Sequence, residues 1–389
     1  MNYTIEKVTT LIGARRYGNT DANISFILTD SRSLCFPEET LFFAIRTERN
    51  DGHNYIPELY GRGVRNFVVE AIPENWATLY PNSNFLKVVG TLEALQRLAE
   101  RHRDEFLIPI IGITGSNGKT MVKEWLYQLL SPEMIVTRSP RSYNSQIGVP
   151  LSVWLLNENT QIGVFEAGIS KPGEMLALRD IIQPTIGVFT SLGTAHQENF
   201  PSLEAKCLEK LKLFHDTQAI VYSEDDQVLN DCISAKNYKG ECLNWSAKDV
   251  HAAFFIKSIE KKDIETTVSY VWKEKVEGQY KLPFIDDASV ENSITCAVVS
   301  LHLGIDPAHL AERMAKLEPV AMRLEVKEGQ HGCTLINDSY NSDYNSLDIA
   351  LDFMNRRPDH KGRKRALILS DILQSGERGK ELYNKVAFL

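Results

Sequence analysis

Residues 112–120, GITGSNGKT, carry the residue types of a phosphate-binding loop. The apolar run IPIIGIT comes before the loop and KTMVKEWLYQLL after it, which predicts a buried strand leading into a helix. Lys119 would pair with phosphates and the Thr120 hydroxyl would bind Mg²⁺. Gly112, Gly115 and Gly118 would let the backbone amides approach the phosphate oxygens, and Ser116 and Asn117 belong to the same binding loop. The common pattern G-x-x-x-x-G-K-[ST] fails, because Ile113 stands where it needs a glycine. The alternative is a glycine-rich turn without a ligand.

Two more polar residues follow predicted strands beside this loop. Glu166 ends the strand of IGVFEAG, and His196 follows the next strand within TSLGTAHQENF. A carboxylate at such a strand end is costly unless a cation or a donor offsets it. Either residue alone is compatible with an ordinary loop. Together, beside the loop strand, they predict a Mg²⁺ cluster.

A lysine within SLEAKCLEKLKLF breaks an apolar helical stripe. At 100° per residue, Leu203, Cys207, Leu211 and Phe214 share one face, and Lys210 falls near its middle. A lysine on a buried face is costly unless it is paired or chemically changed. A lysine whose amine reaches solvent at a domain seam is the alternative.

The elements that must position these residues alternate between strands and helices, which predicts an α/β fold. Short β-type runs fill the first ~90 residues, and the helical spacing of TLEALQRLAERHRDEF follows. From Ile108 onward, apolar runs alternate with helices, the pattern of a doubly wound parallel sheet with ligands at the strand carboxyl ends. Residues 252–284 predict antiparallel strands at the edge of the same domain.

The length of 389 residues predicts two or three domains. A last unit begins near PVAMRLEVKEG, with strands CTLIN and RALILS and helices YNSLDIALDFMN and GKELYNKVAFL. Two β-α units cannot cover both faces of a parallel sheet. The unit is therefore either unusually small or, as we expect, the start of a domain in a longer protein.

Bulk composition excludes several classes of protein. The net charge is −8, which argues against a nucleic-acid partner. The six scattered cysteines have no zinc-type spacing and fit a reducing compartment. No stretch has the length of a signal peptide core or a membrane span. We expect a cytoplasmic protein without membrane insertion.

Taken together, these residues resemble the Mur ligase family, ATP-dependent enzymes that form the amide bonds of the peptidoglycan stem peptide. The family's loop, G-x-x-G-x-x-G-K-[ST], matches residues 112–120, and its N-x-x-I-G segment matches Asn144–Gly148. The resemblance covers essentially the whole chain. It implies three domains: a small α/β UDP-sugar-binding domain (1–88), a central P-loop domain (89–321) and a Rossmann-like C-terminal ligase domain cut short (322–389).

The resemblance also implies roles for individual residues. The family has a lysine some fourteen positions after its histidine that reacts with CO₂ to give a carbamate, and counting from His196 reaches Lys210. The implied catalytic residues are Lys119, Lys210, His196 and Glu166. The implied Mg²⁺ ligands are Thr120, Glu166, His196 and carbamylated Lys210. ATP would be bound by the loop residues 115–120 together with Asn292, Arg323, Asp338 and Tyr340. The UDP-linked substrate would be bound by Ser31, Arg32, Asp51, His53 and Asn144.

One sequence segment distinguishes the members of the family by the amino acid or dipeptide that they add. NDSYNSDYNSL resembles the signature of members that add D-alanyl-D-alanine to UDP-N-acetylmuramoyl-tripeptide, whereas diaminopimelate- or lysine-adding members carry Y-A-H-T-P there. A folylpolyglutamate synthase would lack the D-S-R segment (Asp30, Ser31, Arg32) and the D-G-H segment (Asp51, Gly52, His53), which serve the UDP-sugar in the family, and no kinase or GTPase signature is found. A non-catalytic nucleotide-binding scaffold of a fused enzyme is the remaining alternative.

The sequence departs from the family in places. Ala288 stands where the family often has a histidine, Ser342-Asp343-Tyr344 replaces A-N-P, and Gln374-Ser375-Gly376 replaces E-L-G. The short third domain would be explained by truncation of a known fusion of this ligase to a PLP-dependent alanine racemase.

Overall fold

The structure is a computed structural model. It describes residues 2–48, 50–193, 197–236, 238–262, 264–321, 325–339, 344–356, 364–372 and 379–387. The strands are β1 (Tyr3–Thr4), β2 (Arg15–Tyr17), β3 (Asn23–Ile24), β4 (Phe26–Leu28), β5 (Thr40–Phe43), β6 (Asn66–Val69), β7 (Asn84–Lys87), β8 (Ile110–Thr114), β9 (Val136–Arg138), β10 (Ile162–Glu166), β11 (Ile186–Phe189), β12 (Ala219–Ser223), β13 (Glu241–Ser246), β14 (Phe254–Lys262), β15 (Glu265–Trp272), β16 (Val276–Leu282), β17 (Glu325–Glu328) and β18 (Thr334–Asn337).

The helices alternate with these strands along most of the chain. They are α1 (Ile5–Ile12), α2 (Ile56–Gly61), α3 (Trp76–Leu79), α4 (Thr91–Arg103), α5 (Lys119–Leu130), α6 (Gly148–Val153), α7 (Glu174–Ile182), α8 (Leu203–Lys210), α9 (Gln227–Ala235), α10 (Asp287–His302), α11 (Pro307–Met314), α12 (Tyr344–Arg356) and α13 (Gly379–Val386). The predicted α/β class is confirmed.

The chain divides into two compact units. The first consists of Met1–Ile108, Tyr143–Thr160 and Asp180–Ile182, and the second of Pro109–Ser142, Gln161–Arg179 and Gln183–Leu389. The predicted boundaries at 88/89 and 321/322 stay predictions.

In the first unit a five-stranded sheet has the order β2-β7-β6-β5-β4, with β4 to β7 parallel and β2 antiparallel. Alternate residues of each strand point to opposite faces. Leu41 and Phe43 therefore pack on one face in a cluster with α1 and α4, while Phe42 and Phe67 pack on the other with α2. Burial of both faces explains the continuous apolar runs of these strands.

In the second unit nine strands form one sheet in the order β16-β15-β14-β13-β12-β11-β8-β10-β9. Strands β9 to β14 pair in parallel, and β14, β15 and β16 pair antiparallel at the edge. This confirms both the predicted parallel sheet and its predicted antiparallel edge. Strand β8 lies in the centre, with β10 and β11 as its neighbours. The ends of these three strands carry the candidate site.

The core of the second unit lies between the sheet and the helices α5, α10 and α11. Trp125 on α5 is fully buried in it and donates its indole N–H to the Glu318 carbonyl at 3.0 Å. The other face of β8 and β11 packs closely against a 3₁₀ turn at Leu211–Phe214. A Cβ on Gly187 would meet the Phe214 ring, so the glycine permits this close approach.

The C-terminal segments differ from prediction at one strand. The strand CTLIN and the helix YNSLDIALDFMN are confirmed as β18 and α12, and GKELYNKVAFL forms α13. RALILS was predicted to be a strand, and this is wrong, because residues 364–372 carry no strand and Ile368 is 97% exposed. A strand needs a hydrogen-bonded neighbour, and among the described residues β17 and β18 pair only with each other.

Two of the predictions made from the sequence concern the cellular compartment of the protein. All six cysteines are free thiols. Across the described part of the chain, every helix is too short or too polar to cross a bilayer.

Candidate active site

The glycine loop between β8 and α5 adopts a backbone that only glycine allows at two positions. Gly115 has φ 145° and Gly118 has φ 85°. A Cβ on Gly115 would collide with the Thr190 hydroxyl, and one on Gly118 would collide with the Asn292 side-chain oxygen. The loop glycines are therefore required both by backbone conformation and by the close approach of β11 and α10.

The residues that follow β11 hold the loop in place. The Ser116 N–H donates to the Ser191 carbonyl at 2.8 Å, and the Asn117 N–H donates to the Ser191 hydroxyl at 3.2 Å. Ser116 also exchanges hydrogen bonds with the backbone of Gly193 at 2.8 and 3.0 Å. In this structure the amides of Ser116 and Asn117 are thus held by the protein. Sequence reasoning missed Ser191 and Gly193, because nothing local marks them as partners of a loop 75 residues earlier.

Three lysine ammonium groups surround the loop and bind backbone carbonyls. Lys119 donates to the carbonyls of Gly115 at 2.8 Å and Ser116 at 2.9 Å. Lys210 donates to Gly115 at 3.0 Å, and Lys206 donates to the Gly193 carbonyl at 2.5 Å. This concentration of positive charge beside a helix N-terminus is suited to a polyanion such as a polyphosphate.

Lys210 is buried, as its place in the helical stripe predicted, and is only 3% exposed. Burial first, and then the charges of Lys119 and Lys206, hold the pKa of Lys210 well below its usual value. The structure buries Lys206 of the same helix as well. The helix ends at Lys210 and continues as the 3₁₀ turn, which keeps Leu211 and Phe214 in the core.

A hydroxyl–carboxylate pair lies on the other side of the loop. Glu166, at the end of β10, is fully buried, and its Oε2 accepts a hydrogen bond from the Thr120 hydroxyl at 3.2 Å. The Ser142 hydroxyl lies 2.9 Å from the same Thr120 oxygen. Because the Thr120 proton goes to the carboxylate, Ser142 is the donor in that second hydrogen bond. The predicted neighbours Thr120 and Glu166 are thus brought together.

Lys123 is a further buried charge that sequence reasoning missed. Its side chain is fully buried one turn after Lys119, and its Nζ lies 3.2 Å from Glu166 Oε1 and 3.0 Å from Glu124 Oε1. Lys123 sits at the margin of the apolar face of α5, so the helical period gave only a weak signal for its burial.

The residues present fit a magnesium ion. Mg²⁺ prefers hard oxygen ligands and uses few of them from the protein when phosphates supply the rest. Glu166 Oε1 is buried without a hydrogen-bond donor, and the Thr120 oxygen lies beside the same carboxylate. Among the residues described, no three Asp, Glu, His or Cys side chains form a metal cluster by themselves.

The remaining predicted nucleotide residues are placed as follows. Asn292 is buried on α10 beside Gly118, and its amide donates weakly to the Met121 sulfur at 3.8 Å. Asp338 follows β18 and is half-buried. His196, Arg323 and Tyr340 lie outside the described residues. The roles given to all of these residues stay predictions.

In the first unit, the D-G-H segment forms a tight, internally bonded turn. Asp51 accepts hydrogen bonds from the His53 backbone N–H at 3.0 Å and from its ring Nδ1 at 2.7 Å, and it also pairs with Arg46. Burial opposes ionisation of Asp51, but these hydrogen bonds lower its pKa to about 2. His53 Nε2 accepts the Glu70 N–H at 3.0 Å. Both ring nitrogens therefore stabilise the turn, and the substrate roles of Asp51 and His53 stay predictions.

The other predicted substrate residues lie in the same unit. Ser31 is buried, and its carbonyl accepts from Arg62 at 2.6 Å. Arg32 is exposed and pairs with Asp30 at 2.7 Å. Asn144 is half-buried in the loop before α6. Asp30 and Asp51 follow the parallel strands β4 and β5, so both segments lie at the carboxyl edge of this sheet.

Comparison of this chain with known proteins finds relatives in one enzyme family. Residues 113–300 match the Mur ligase middle domain, and residues 23–103 match the Mur ligase family catalytic domain. The UDP-N-acetylmuramoyl-tripeptide–D-alanyl-D-alanine ligase of Borreliella burgdorferi is 30% identical over 339 residues, covering 85% of this chain and 71% of that protein. The ligase of the same name from Bacillus subtilis is 28% identical over 360 residues, covering 90% and 74%.

A solved structure shares the fold. The MurF ligase of Thermotoga maritima, determined in complex with ADP, aligns with a TM-score of 0.78 at 24% identity, covering 93% of this chain and 81% of that one.

Proposed function

Because this chain belongs to the Mur ligase family, we propose that it uses ATP to join D-alanyl-D-alanine to UDP-N-acetylmuramoyl-tripeptide in peptidoglycan synthesis. The observation that carries the proposal is the convergence of Lys119, Lys206 and Lys210 on the glycine loop, opposite the Thr120–Glu166 pair. That arrangement can bind a triphosphate together with a divalent cation. The named relatives supply the choice of substrates.

The first step activates a carboxylate. The terminal carboxylate of the tripeptide attacks the γ-phosphorus of ATP, the bond to the β-phosphate oxygen breaks, and an acyl phosphate and ADP result. Mg²⁺, held by Thr120 and Glu166 with His196 and a Lys210 carbamate, would offset charge on the phosphates. Lys119 and the loop hold the transferring group in place, so the protein contributes mainly positioning and electrostatic stabilisation.

The second step forms the amide. The neutral amine of D-alanyl-D-alanine attacks the acyl carbon, phosphate leaves, and the nitrogen loses its extra proton. Asn292, Arg323, Asp338 and Tyr340 are proposed to bind the nucleotide. Ser31, Arg32, Asp51, His53 and Asn144 are proposed to bind the UDP-linked peptide.

The environment of Lys210 supports its proposed carbamylation. Only an unprotonated amine can attack CO₂, and the lowered pKa of the buried Lys210 favours that form. The carbamate would carry a negative charge in a pocket with two neighbouring ammonium groups, those of Lys119 and Lys206. The surroundings that disfavour a third cation would favour this anion.

The proposal is tested by product formation. Purified protein with ATP and Mg²⁺ should release ADP only when UDP-N-acetylmuramoyl-tripeptide and D-alanyl-D-alanine are both present, and mass spectrometry should find the pentapeptide product. ADP release with a UDP-dipeptide and diaminopimelate would instead assign another member of the family. Nucleotide binding without turnover on either pair would support a non-catalytic scaffold. We further propose a cytoplasmic location, in line with the free thiols and the nucleotide substrates.

A further inference from the structure

The two oxygens of Glu166 have different surroundings. Oε2 accepts the Thr120 hydroxyl, whereas Oε1 has no hydrogen-bond donor and lies 3.2 Å from Lys123 Nζ. Both side chains are fully buried. A carboxylate buried away from water is costly unless a cation or hydrogen-bond donors offset its charge. Lys123 is the cation that offsets this cost.

The hydrogen bond that Lys123 donates goes to an acceptor other than Glu166. Its ammonium donates to the backbone carbonyl of Arg141, while its contact with Glu166 is an ion pair without hydrogen-bond geometry. The lone pairs of Glu166 Oε1 can therefore bind a metal, while the positive charge of Lys123 still acts on the carboxylate.

The bond to Arg141 has its own consequence. Arg141 has φ 49°, a left-handed conformation that non-glycine residues rarely adopt without support. The next residue, Ser142, places its hydroxyl 2.9 Å from Thr120. Lys123 thus stabilises both groups that contact the Thr120 hydroxyl. It contacts Glu166 directly, and it supports Ser142 through the turn at Arg141.

The charges around Lys123 balance. Glu124 lies 3.0 Å from Lys123, and Arg138 donates to Glu124 at 3.0 Å while stacking on the Tyr127 ring. Two cations and two carboxylates therefore form a neutral chain that ends at Glu166. Among the described residues, this chain of charges balances Glu166 without a contribution from the lysines around the glycine loop.

We propose that Lys123 is a positioning residue that holds the Glu166 carboxylate in place, with Oε2 on Thr120 and Oε1 open, so that the nucleotide-bound metal meets a preformed pair of oxygens. The inference rests on the proposed function only in taking the metal to arrive with ATP or ADP.

Metal binding without turnover tests this role. Mn²⁺ binding in the presence of ADP is measured by electron paramagnetic resonance, and ADP binding without metal by calorimetry. Lys123→Met should weaken Mn²⁺ binding roughly 10–100-fold, as expected for loss of a group that supports a metal ligand. ADP binding without metal should change little. Lys123→Arg, which keeps the charge, should recover part of the Mn²⁺ affinity.

The matched control is Lys212→Met. Lys212 pairs with the buried Glu209 at 2.5 Å, so this variant also leaves a buried carboxylate without its lysine, but not at the loop. It should bind Mn²⁺ as the unaltered protein does. If Lys123→Met loses thermal stability yet binds Mn²⁺–ADP normally, Lys123 is merely structural and the proposal is wrong.

A double variant covers the case in which Lys123→Met does not fold. Lys123→Met/Glu166→Gln removes both charges, so no unpaired ion remains. If Lys123 acts through Glu166, the double variant binds Mn²⁺ as weakly as Glu166→Gln alone. A further loss in the double variant would contradict the proposal. A protein that shows these effects on Mn²⁺–ADP but forms no amide would refute the proposed function and leave the role of Lys123 intact.

Discussion

Lys119 and Lys210 donate to the same atom, the carbonyl oxygen of Gly115, at 2.8 and 3.0 Å. Two ammonium groups on one oxygen repel each other, and Lys206 adds a third charge nearby. The fold imposes this arrangement, because the loop after β8, the start of α5 and the end of α8 each contribute one member. This repulsion would be relieved by a bound anion such as a phosphate group, or if one amine became neutral.

Lys119 is predicted to supply a direct phosphate contact. A charged hydrogen bond of this kind contributes about 1.5–3 kcal/mol, so Lys119→Ala should weaken ADP binding roughly 10–100-fold. Calorimetric titration measures the effect. Lys212→Ala, which removes a partly exposed lysine that follows α8, should leave ADP affinity unchanged. Equal affinities for the Lys119 variant and the unaltered protein would mean that this lysine does not touch the nucleotide.

Lys210 is predicted to act as a carbamate. Lys210→Ala should lower the rate of amide formation by at least roughly 100-fold, because a negatively charged group is lost from the site. Short carboxylates such as formate or acetate should restore part of the rate. Lys206→Ala should not be rescued by these acids, since no anion is assigned to Lys206. Failure of every short acid to restore activity would count against the carbamate.

Comparing Gly118 with Gly173 separates the stability cost of backbone strain from the cost of a steric clash. Both have left-handed backbones, with φ 85° and φ 89°, but a Cβ on Gly173 meets nothing within 4 Å. Gly173→Ala should cost about 1–2 kcal/mol of stability from strain alone. Gly118→Ala should cost more and also weaken ADP binding, because its Cβ displaces Asn292. Thermal melts with and without ADP measure both effects. Equal losses for the two variants would show that the loop tolerates a displaced Asn292.

His102 is predicted to make the first unit sensitive to acid. It is 1% exposed, its Nδ1 lies 2.9 Å from the Tyr3 hydroxyl, and its Nε2 lies 3.0 Å from the Leu156 carbonyl. The Leu156 carbonyl can only accept a hydrogen bond, so Nε2 carries the proton in that contact. Burial lowers its pKa to about 4, below the usual 6.5.

The sign of the pH effect follows from that shift. Between pH 6.5 and 4 the unfolded chain binds a proton that the folded chain does not, so stability is fully present above pH 6.5 and falls as the pH decreases. From pH 7 to pH 5 the free energy of unfolding should drop by about 2 kcal/mol on account of His102. Urea unfolding at the two pH values measures this, and His102→Gln should show a smaller drop. An unchanged pH dependence in that variant would contradict the assignment.

Much of the site was predictable because its signals are local. The strand, the loop and the helix at 110–130 follow from an apolar run, glycine spacing and the helical period, all of which act over a few residues. Glu166 was recognisable as a carboxylate at a strand end, and Lys210 as a charge on an apolar stripe. The segment RALILS shows the limit, because its composition suits a strand but the described residues offer it no neighbour to pair with.

By itself the sequence determined the α/β class, the parallel sheet with its antiparallel edge, and the glycine loop between β8 and α5, because hydrophobic period and backbone sterics are properties of short segments. Only the tertiary structure decided that Ser191 holds the loop, that Lys119 and Lys210 share one carbonyl, and that Lys123 is the buried partner of Glu166. These contacts join residues up to about a hundred positions apart in the chain. Their charges and hydrogen bonds depend on burial, which is established only when the strands and helices pack together.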